Sequence, residues 1–182
     1  MQPSLNRRQC IALAAAGLAE ASLAQTISVP DATLLHRDGQ AVRLRSDVWR
    51  DRTALVNFVF TTCTSFCGIQ SAMLAQLQAK LGARLGREVV LISLSIDPLN
   101  DDPPRLQSFA RTFEPGPHWW WLTGRPDAMF KTLEALGADR GDPRDHAPLW
   151  LAGTASSPRR IVGLPSLAKL EAALGTPGRL SP

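Results

Sequence analysis

The chain has few cysteines, no long apolar run and no block of basic residues. Three cysteines in 182 residues argue against a scaffold held together by disulfides. No uncharged apolar stretch reaches about 18 residues, so a membrane span is not expected and any membrane contact is peripheral. The 20 lysines and arginines are scattered among 16 aspartates and glutamates, a pattern that argues against nucleic-acid binding. With 45% apolar and 20% charged residues, the composition predicts one globular domain.

Residues 1–24 are typical of an export signal. Arg7 and Arg8 precede a short apolar run at 10–19, and Ser22-Leu-Ala24 supplies small residues at 22 and 24 where a signal peptidase would cut. The paired arginines suggest the twin-arginine route. An amphipathic helix of the mature fold is the alternative interpretation. We therefore expect a mature domain over 25–175 that is soluble after cleavage, in an oxidising compartment such as the periplasm, followed by a disordered tail over 176–182.

Strands and helices alternate along the mature chain. This order predicts an α/β fold with a central parallel or mixed sheet, helices on both faces and an N-terminal β-hairpin turning at Asp38-Gly39. The predicted strands cover 53–60, 88–96, 119–122, 147–152 and 160–162, and the predicted helices cover 68–85, 101–113, 125–136 and 166–174.

The residues with the clearest chemistry are Cys63 and Cys67, which lie between a buried strand and a helix. The start of a helix stabilises a thiolate through its dipole and its free N–H groups. If both cysteines were helical, their Cβ atoms would be about 5–6 Å apart, which suits two thiolates on one metal ion better than a relaxed disulfide. Soft thiolates select Cu(I) or Zn(II), and a third ligand is then expected.

Three histidines are candidates for the third ligand. His36 precedes the hairpin turn and is expected to be solvated, and His118 is expected at the surface or stacked at the start of a strand. His146 follows Asp145 and precedes a strand, so it approaches the cysteines if the loops converge at one edge of a sheet of parallel strands. Asp145 is a candidate partner that would orient the imidazole of His146.

Four segments of the chain resemble the Sco/SenC family of thioredoxin-like copper proteins. In order they are Asn57-Phe-Val-Phe-Thr-Thr-Cys63-x-x-x-Cys67, Ser95-Ile-Asp97-Pro98-x-x-Asp101-x-Pro103, Trp121-Leu-Thr-Gly124 and Asp145-His146. The resemblance runs over about 33–174 and implies a thioredoxin-like fold with copper bound by Cys63, Cys67 and His146. It also implies a role in delivering copper to, or preparing the thiols of, the copper A centre of a respiratory oxidase or another exported copper protein. The chain departs from the family at Gly68, where the family usually has proline after the second cysteine.

Three other features have both a structural and a functional interpretation. Asp97 and Asp101 are expected in a turn and a helix cap, with contact to a partner protein as the alternative. In the run 119–121, Trp120 should point opposite to its neighbours and could face a partner. Pro148 resembles the proline that thioredoxin-like folds keep beside their cysteines, often in the cis form.

Three functions fit these residues. The first is a copper carrier that uses two thiolates and one imidazole and has a copper-accepting protein as its partner. The second is a thiol–disulfide oxidoreductase in which Cys63 and Cys67 are the catalytic pair and a thiol reductant protein is a partner. The third is a structural zinc site, which usually needs four protein ligands where the sequence offers three.

Overall fold

The computed structural model describes residues 27–138 and 141–175, so the predicted export signal and tail lie outside the described residues. The described chain contains seven strands and four α-helices. The strands are β1 (Thr33–His36), β2 (Ala41–Arg43), β3 (Thr53–Val59), β4 (Val89–Ser95), β5 (Trp119–Thr123), β6 (Leu149–Thr154) and β7 (Ser157–Val162). The helices are α1 (Phe66–Leu81), α2 (Pro103–Arg111), α3 (Pro126–Ala135) and α4 (Leu167–Ala173).

All seven strands form one mixed sheet in the order β2-β1-β5-β4-β3-β6-β7. Strands β3, β4 and β5 run parallel, and β6 runs antiparallel to β3. The β1–β2 hairpin pairs with β5 at one end of the sheet, and β7 pairs with β6 at the other. The predicted mixed sheet and N-terminal hairpin are confirmed.

The two central strands are apolar because the sheet is covered on both faces. Every residue of β4 is buried, and so is every residue of β3 after Thr53. Continuous apolar runs of this kind are typical of parallel strands between two helical layers. Four fully buried tryptophans add large apolar surfaces to this core: Trp49, Trp119, Trp121 and Trp150.

Side-chain alternation along β5 distinguishes the two faces of the sheet. Trp121 packs against Phe109 of α2 and stacks on Phe113 just beyond it, whereas Trp120 points to the other face. Helix α1 shares the α2 face, because Gln78 of α1 donates to the carbonyl of Glu114 after α2.

Helix α3 covers the opposite face. His36 of β1 packs edge-on against Trp120, so it lies on the second face, and Leu34 shares that side of β1. A Cβ added at Gly124 would lie 3.5 Å from an atom of Leu34 and 3.5 Å from an atom of Met129 in α3. Helix α3 therefore lies on the same face as Leu34. Helices therefore cover both faces, as the sequence predicts.

Several sequence expectations need correction. His36 is not solvated, because its ring packs on Trp120 with 14% side-chain exposure and its Nδ1 lies 2.9 Å from Asp38 Oδ1. That contact leaves Trp120 only half exposed, so it does not present an open patch. Strand β7 begins at Ser157, earlier than predicted, because Gly153 and Pro158 pair within the β6–β7 hairpin. The sequence left the isomer of Pro148 open, and since the described residues contain no cis peptide bond, Pro148 is trans.

The sequence also did not predict the π-helical turn at Leu44–Trp49. It follows β2 and buries Leu44, Val48 and Trp49. Within the described ranges, no helix combines the length and the apolarity needed to cross a bilayer.

Candidate metal and thiol site

The candidate residues come from one edge of the sheet, where β3, β4 and β5 end and β6 begins. Cys63 follows β3, and Asp97 and Asp101 follow β4. His146 precedes β6, and it reaches this edge because β6 runs antiparallel to β3. We expected His146 to reach this edge because the strands would run parallel. His146 does reach it, but for a different reason, since a parallel β6 would have placed His146 at the opposite edge.

The two cysteines do not lie on the same stretch of helix. Helix α1 begins at Phe66, so Cys67 is in its first turn and Cys63 is in the preceding loop. The N–H of Cys63 donates to the carbonyl of Phe60 at 3.1 Å, which closes a tight turn over 60–63. The predicted helical spacing is therefore wrong, and with it the argument that this spacing disfavours a disulfide. Both cysteines are free thiols here.

The loop directs several hydrogen-bond donors at the Cys63 sulfur. Its partial burial would raise the pKa of Cys63, but donation from the Cys67 thiol, the Ser65 hydroxyl and the N–H groups of Ser65 and Cys67 outweighs burial. The pKa of Cys63 is therefore lower than that of an ordinary thiol. Ser65 is the N-cap residue of α1 and makes no side-chain cap, and its Oγ lies 3.5 Å from Cys63 Sγ.

Cys67 has the opposite character. It is 3% exposed, and burial raises the pKa of Cys67 well above that of an ordinary thiol. Donating its hydrogen to Cys63 raises the pKa further. The pair therefore consists of a half-exposed thiol whose pKa is lowered and a buried thiol whose pKa is raised.

His146 lies at the same edge but on the other side of β3. Asn57 of β3 accepts a hydrogen bond from Ser93, which also accepts one from the indole of Trp119 on the face covered by α2. The next residue, Phe58, points to the opposite face, and the ring of His146 packs edge-on against it with centroids 6.1 Å apart. His146 Nε2 is buried there.

This placement explains why the three predicted ligands are not assembled. Among the residues that the structure describes, no group of three or more His, Cys, Asp or Glu side chains is arranged to hold a metal ion. Asp145 is exposed and lies in a 3₁₀ turn, Pro143–Asp145.

The other two histidines are not near the cysteines. His118 immediately precedes β5, so it lies at the opposite end of the parallel strands, where its ring covers Gly86. His36 is held by Asp38 and Trp120 in the hairpin. His146 is therefore the one histidine that the fold brings to the edge carrying Cys63.

The two aspartates after β4 differ in their roles. Asp97 accepts from the side chain of Asn100 in a turn, as expected. Asp101 is not the helix cap, because Asp102 takes that position and accepts from the N–H of Arg105 at 2.8 Å. Asp101 is 3% exposed and accepts from Thr61 and Ser95 beneath the cysteine loop.

Gln70 is a second residue whose role the sequence did not reveal. It is buried in α1, and its side-chain amide donates to the carbonyl of Leu149 at 3.3 Å. Leu149 begins β6, three residues after His146, so this bond links the cysteine helix to the strand that His146 precedes. The available signal was a glutamine at helical spacing from Leu74 and Leu77, on the apolar stripe of the predicted helix.

Gly68 lies in the first turn of α1 with ordinary helical backbone. A Cβ at this position would meet nothing within 4 Å. The glycine is therefore required neither by a special backbone conformation nor by a close contact.

The sequence and the fold match known proteins. The model of the SCO1/SenC family matches residues 22–147. The SCO1 protein homolog of Bacillus subtilis (strain 168) is 38% identical over 96 residues, which are 50% of this chain and 47% of that protein. This chain thus matches about half the length of that curated relative.

Solved structures of similar fold cover most of the chain. The structure of Arabidopsis thaliana ScoI with copper bound has a TM-score of 0.65 and 19% identity, covering 82% of this chain and 96% of that one. BsSco, described as a member of the Sco family of cytochrome c oxidase assembly proteins with a disulfide switch, has a TM-score of 0.64 and 25% identity, covering 81% of this chain and 93% of its own. These likenesses confirm the thioredoxin-like fold, and with the family match over 22–147 they establish that the chain belongs to the SCO1/SenC family.

Proposed function

We propose that this protein is an exported copper metallochaperone that binds copper through Cys63, Cys67 and His146. It delivers the ion to, or prepares the thiols of, the copper A centre of a respiratory oxidase or another exported copper protein. The observation that carries the proposal is the asymmetric cysteine pair at the open edge of the sheet, with Cys63 half-exposed and its pKa lowered.

The donor set of the site suits copper. Thiolate sulfur is a soft ligand that favours Cu(I), and imidazole suits copper as well. The N–H and O–H donors around Cys63 stabilise the anionic form that binds the metal. Cys67 must lose its proton when it binds, so loading releases a proton from the buried sulfur.

Copper is the cargo of this protein, and the positions of its ligands suit transfer. Cys63 and Cys67 offer two sulfurs on one side of the end of β3, and His146 starts on the other side, against Phe58. Movement of the segment over 141–148 would bring the imidazole in and withdraw it again. A site of two sulfurs and one nitrogen leaves room for a ligand of the recipient to enter before the others leave.

Exposed apolar side chains at the edge that carries the cysteines support a protein recipient. The large apolar residues that the described chain leaves most exposed are Phe66, Ile69, Leu99, Val162 and Leu164. Phe66 and Ile69 are in the first turns of α1, Leu99 follows β4, and Val162 ends β7 beside the start of β6. All five therefore lie at the edge that carries Cys63, where a recipient must touch the thiol to take the metal.

The same asymmetry supports a second candidate function, thiol–disulfide exchange. The Cys63 thiolate would attack a disulfide of the recipient, forming a mixed disulfide and releasing one thiolate, which takes up a proton. Cys67 would then give up its proton and attack Cys63, releasing the second thiol and leaving a Cys63–Cys67 disulfide. A thiol reductant protein would return the pair to the reduced form. This function does not require His146.

We also propose that residues 1–24 direct export and are removed, leaving a domain over 25–175 in the periplasm. The support is the order of basic, apolar and small residues in that segment. Disulfides form in an oxidising compartment, so a cysteine pair that can be oxidised and reduced could function there.

Titration of the reduced protein with a buffered Cu(I) solution tests the copper function. We expect one copper per chain in the wild type, and loss of that binding in Cys63→Ser and in Cys67→Ser. Unchanged copper content in the double cysteine variant would contradict the proposal. Rapid disulfide reductase activity that is retained in His146→Ala would favour thiol–disulfide exchange instead.

A further inference from the structure

Asp101 is a buried carboxylate that the proposed copper chemistry does not use. Among the described residues it is the only Asp, Glu, Lys or Arg that is buried. Burying a charge is costly unless hydrogen bonds compensate it. The hydrogen bonds that Asp101 accepts therefore show which parts of the chain this side chain holds in place.

The Asp101 carboxylate accepts hydrogen bonds from donors at the carboxyl ends of two neighbouring strands. Thr61, just after β3, donates through its hydroxyl at 2.6 Å and its N–H at 3.1 Å. Ser95, the last residue of β4, donates through its hydroxyl at 2.7 Å. The carbonyl of Asp101 also accepts from the hydroxyl of Thr123, the last residue of β5, at 2.6 Å. Asp101 thus ties together the ends of three parallel strands.

The bond to Thr61 connects Asp101 to the cysteine loop. Thr61 is a central residue of the turn closed by the bond from Cys63 N–H to the Phe60 carbonyl. Because Asp101 holds both the N–H and the side chain of Thr61, it fixes that turn and the direction in which Cys63 leaves it. The donors at the Cys63 sulfur belong to Ser65 and Cys67, which directly follow this turn in the chain, and Ser65 Oγ lies 3.5 Å from Cys63 Sγ.

We infer that Asp101 is a positioning residue that, through Thr61, holds the Cys63 sulfur within reach of its hydrogen-bond donors. It does not touch copper or a partner thiol. This inference rests on the proposed role of the cysteine pair, but it concerns the reduced protein without copper and can be tested there.

The test is the rate at which iodoacetamide alkylates Cys63 at neutral pH in the reduced full-length protein, with the site assigned by mass spectrometry. Asp101→Leu removes both acceptor oxygens at similar size, and Thr61→Val removes the hydroxyl of Thr61 while keeping its shape. In both variants we expect alkylation to slow by about two- to threefold, because losing one hydrogen bond lowers the thiolate fraction about fivefold while the higher pKa makes the thiolate more nucleophilic. Thr61→Ser restores the hydroxyl and should return the rate to that of the wild type.

Asp102→Asn is the matched control, because Asp102 is the neighbouring aspartate, it caps α2, and asparagine caps helices equally well. It should leave the rate unchanged. Thermal unfolding by circular dichroism identifies variants that fold, and Thr61→Val carries the test if Asp101→Leu does not. Wild-type alkylation rates in folded Asp101→Leu or Thr61→Val would overturn the inference, and so would a failure of Thr61→Ser to restore the rate. None of these outcomes depends on copper, so the copper proposal stands or falls separately.

Discussion

The hydroxyl oxygen of Ser65 lies 3.5 Å from the sulfur of Cys63, although Ser65 holds the N-cap position of α1. A serine at this position ordinarily accepts a hydrogen bond from the first turn of its helix. Here the Ser65 side chain forms a hydrogen bond with the Cys63 sulfur instead, and the N–H groups of Ser65 and Cys67 also donate to that sulfur. The start of α1 therefore lacks a side-chain cap, and the Ser65 hydroxyl contributes instead to lowering the pKa of Cys63.

This arrangement predicts a fixed order of thiol reactivity. As pH rises, Cys63 should be alkylated first, with a midpoint below that of an ordinary thiol, because hydrogen bonds to its sulfur lower its pKa. Cys67 should stay unreactive until far higher pH, because burial and its bond to Cys63 raise its pKa. Alkylation of the reduced protein across a pH series, with each cysteine quantified by mass spectrometry, measures both profiles.

Ser65→Ala provides the control for that order. It removes the hydroxyl near Cys63 and should move the Cys63 midpoint upward, toward an ordinary thiol. Coincident profiles for Cys63 and Cys67 would show that the loop does not distinguish the two sulfurs.

The packing of His146 on Phe58 leads to a second prediction. His146→Ala should weaken Cu(I) binding by about 100-fold or more, since the loss of groups that only support metal ligands already costs about 10–100-fold. His118→Ala is the matched control, because His118 lies at the opposite end of β5. Competition with a chromophoric Cu(I) chelator measures both affinities. Equal affinities in the two variants would exclude His146 as a ligand.

Gly68 leads to a prediction about stability. Gly68→Ala should raise the free energy of unfolding by about 0.5–1 kcal/mol, because alanine favours the helix and its Cβ meets nothing within 4 Å. Gly86→Ala should instead destabilise the protein, since Gly86 has a φ of +88° and a Cβ there would lie 2.2 Å from the ring of His118. Urea unfolding of the reduced proteins compares the two. A loss of stability in Gly68→Ala would mean that the start of α1 needs the glycine.

Much of the fold could be predicted because its signals are local. Apolar runs mark β3 and β4, Asp38-Gly39 marks the hairpin turn, and an aspartate before Pro103 marks the start of α2. The cysteines could be recognised for the same reason, since the loop that carries them joins a buried strand directly to a helix.

The remainder depends on contacts between segments that are distant in the sequence. The antiparallel direction of β6 decides which edge His146 reaches, and the alternation along β3 decides that its ring meets Phe58 on the far face. In the sequence, Asp101 and Asp102 are equivalent candidates for a helix cap. Only the fold distinguishes them, because Thr61 and Ser95 donate hydrogen bonds to Asp101. Neither outcome follows from periodicity or from spacing.

We propose that Cys63, Cys67 and His146 together hold one copper ion. X-ray absorption spectroscopy of the protein loaded with one equivalent of Cu(I) counts these ligands most directly. We expect two sulfur neighbours and one imidazole nitrogen, with the nitrogen lost in His146→Ala and kept in His118→Ala. Copper with sulfur ligands alone in the wild type, or an imidazole signal that survives in His146→Ala, would contradict it.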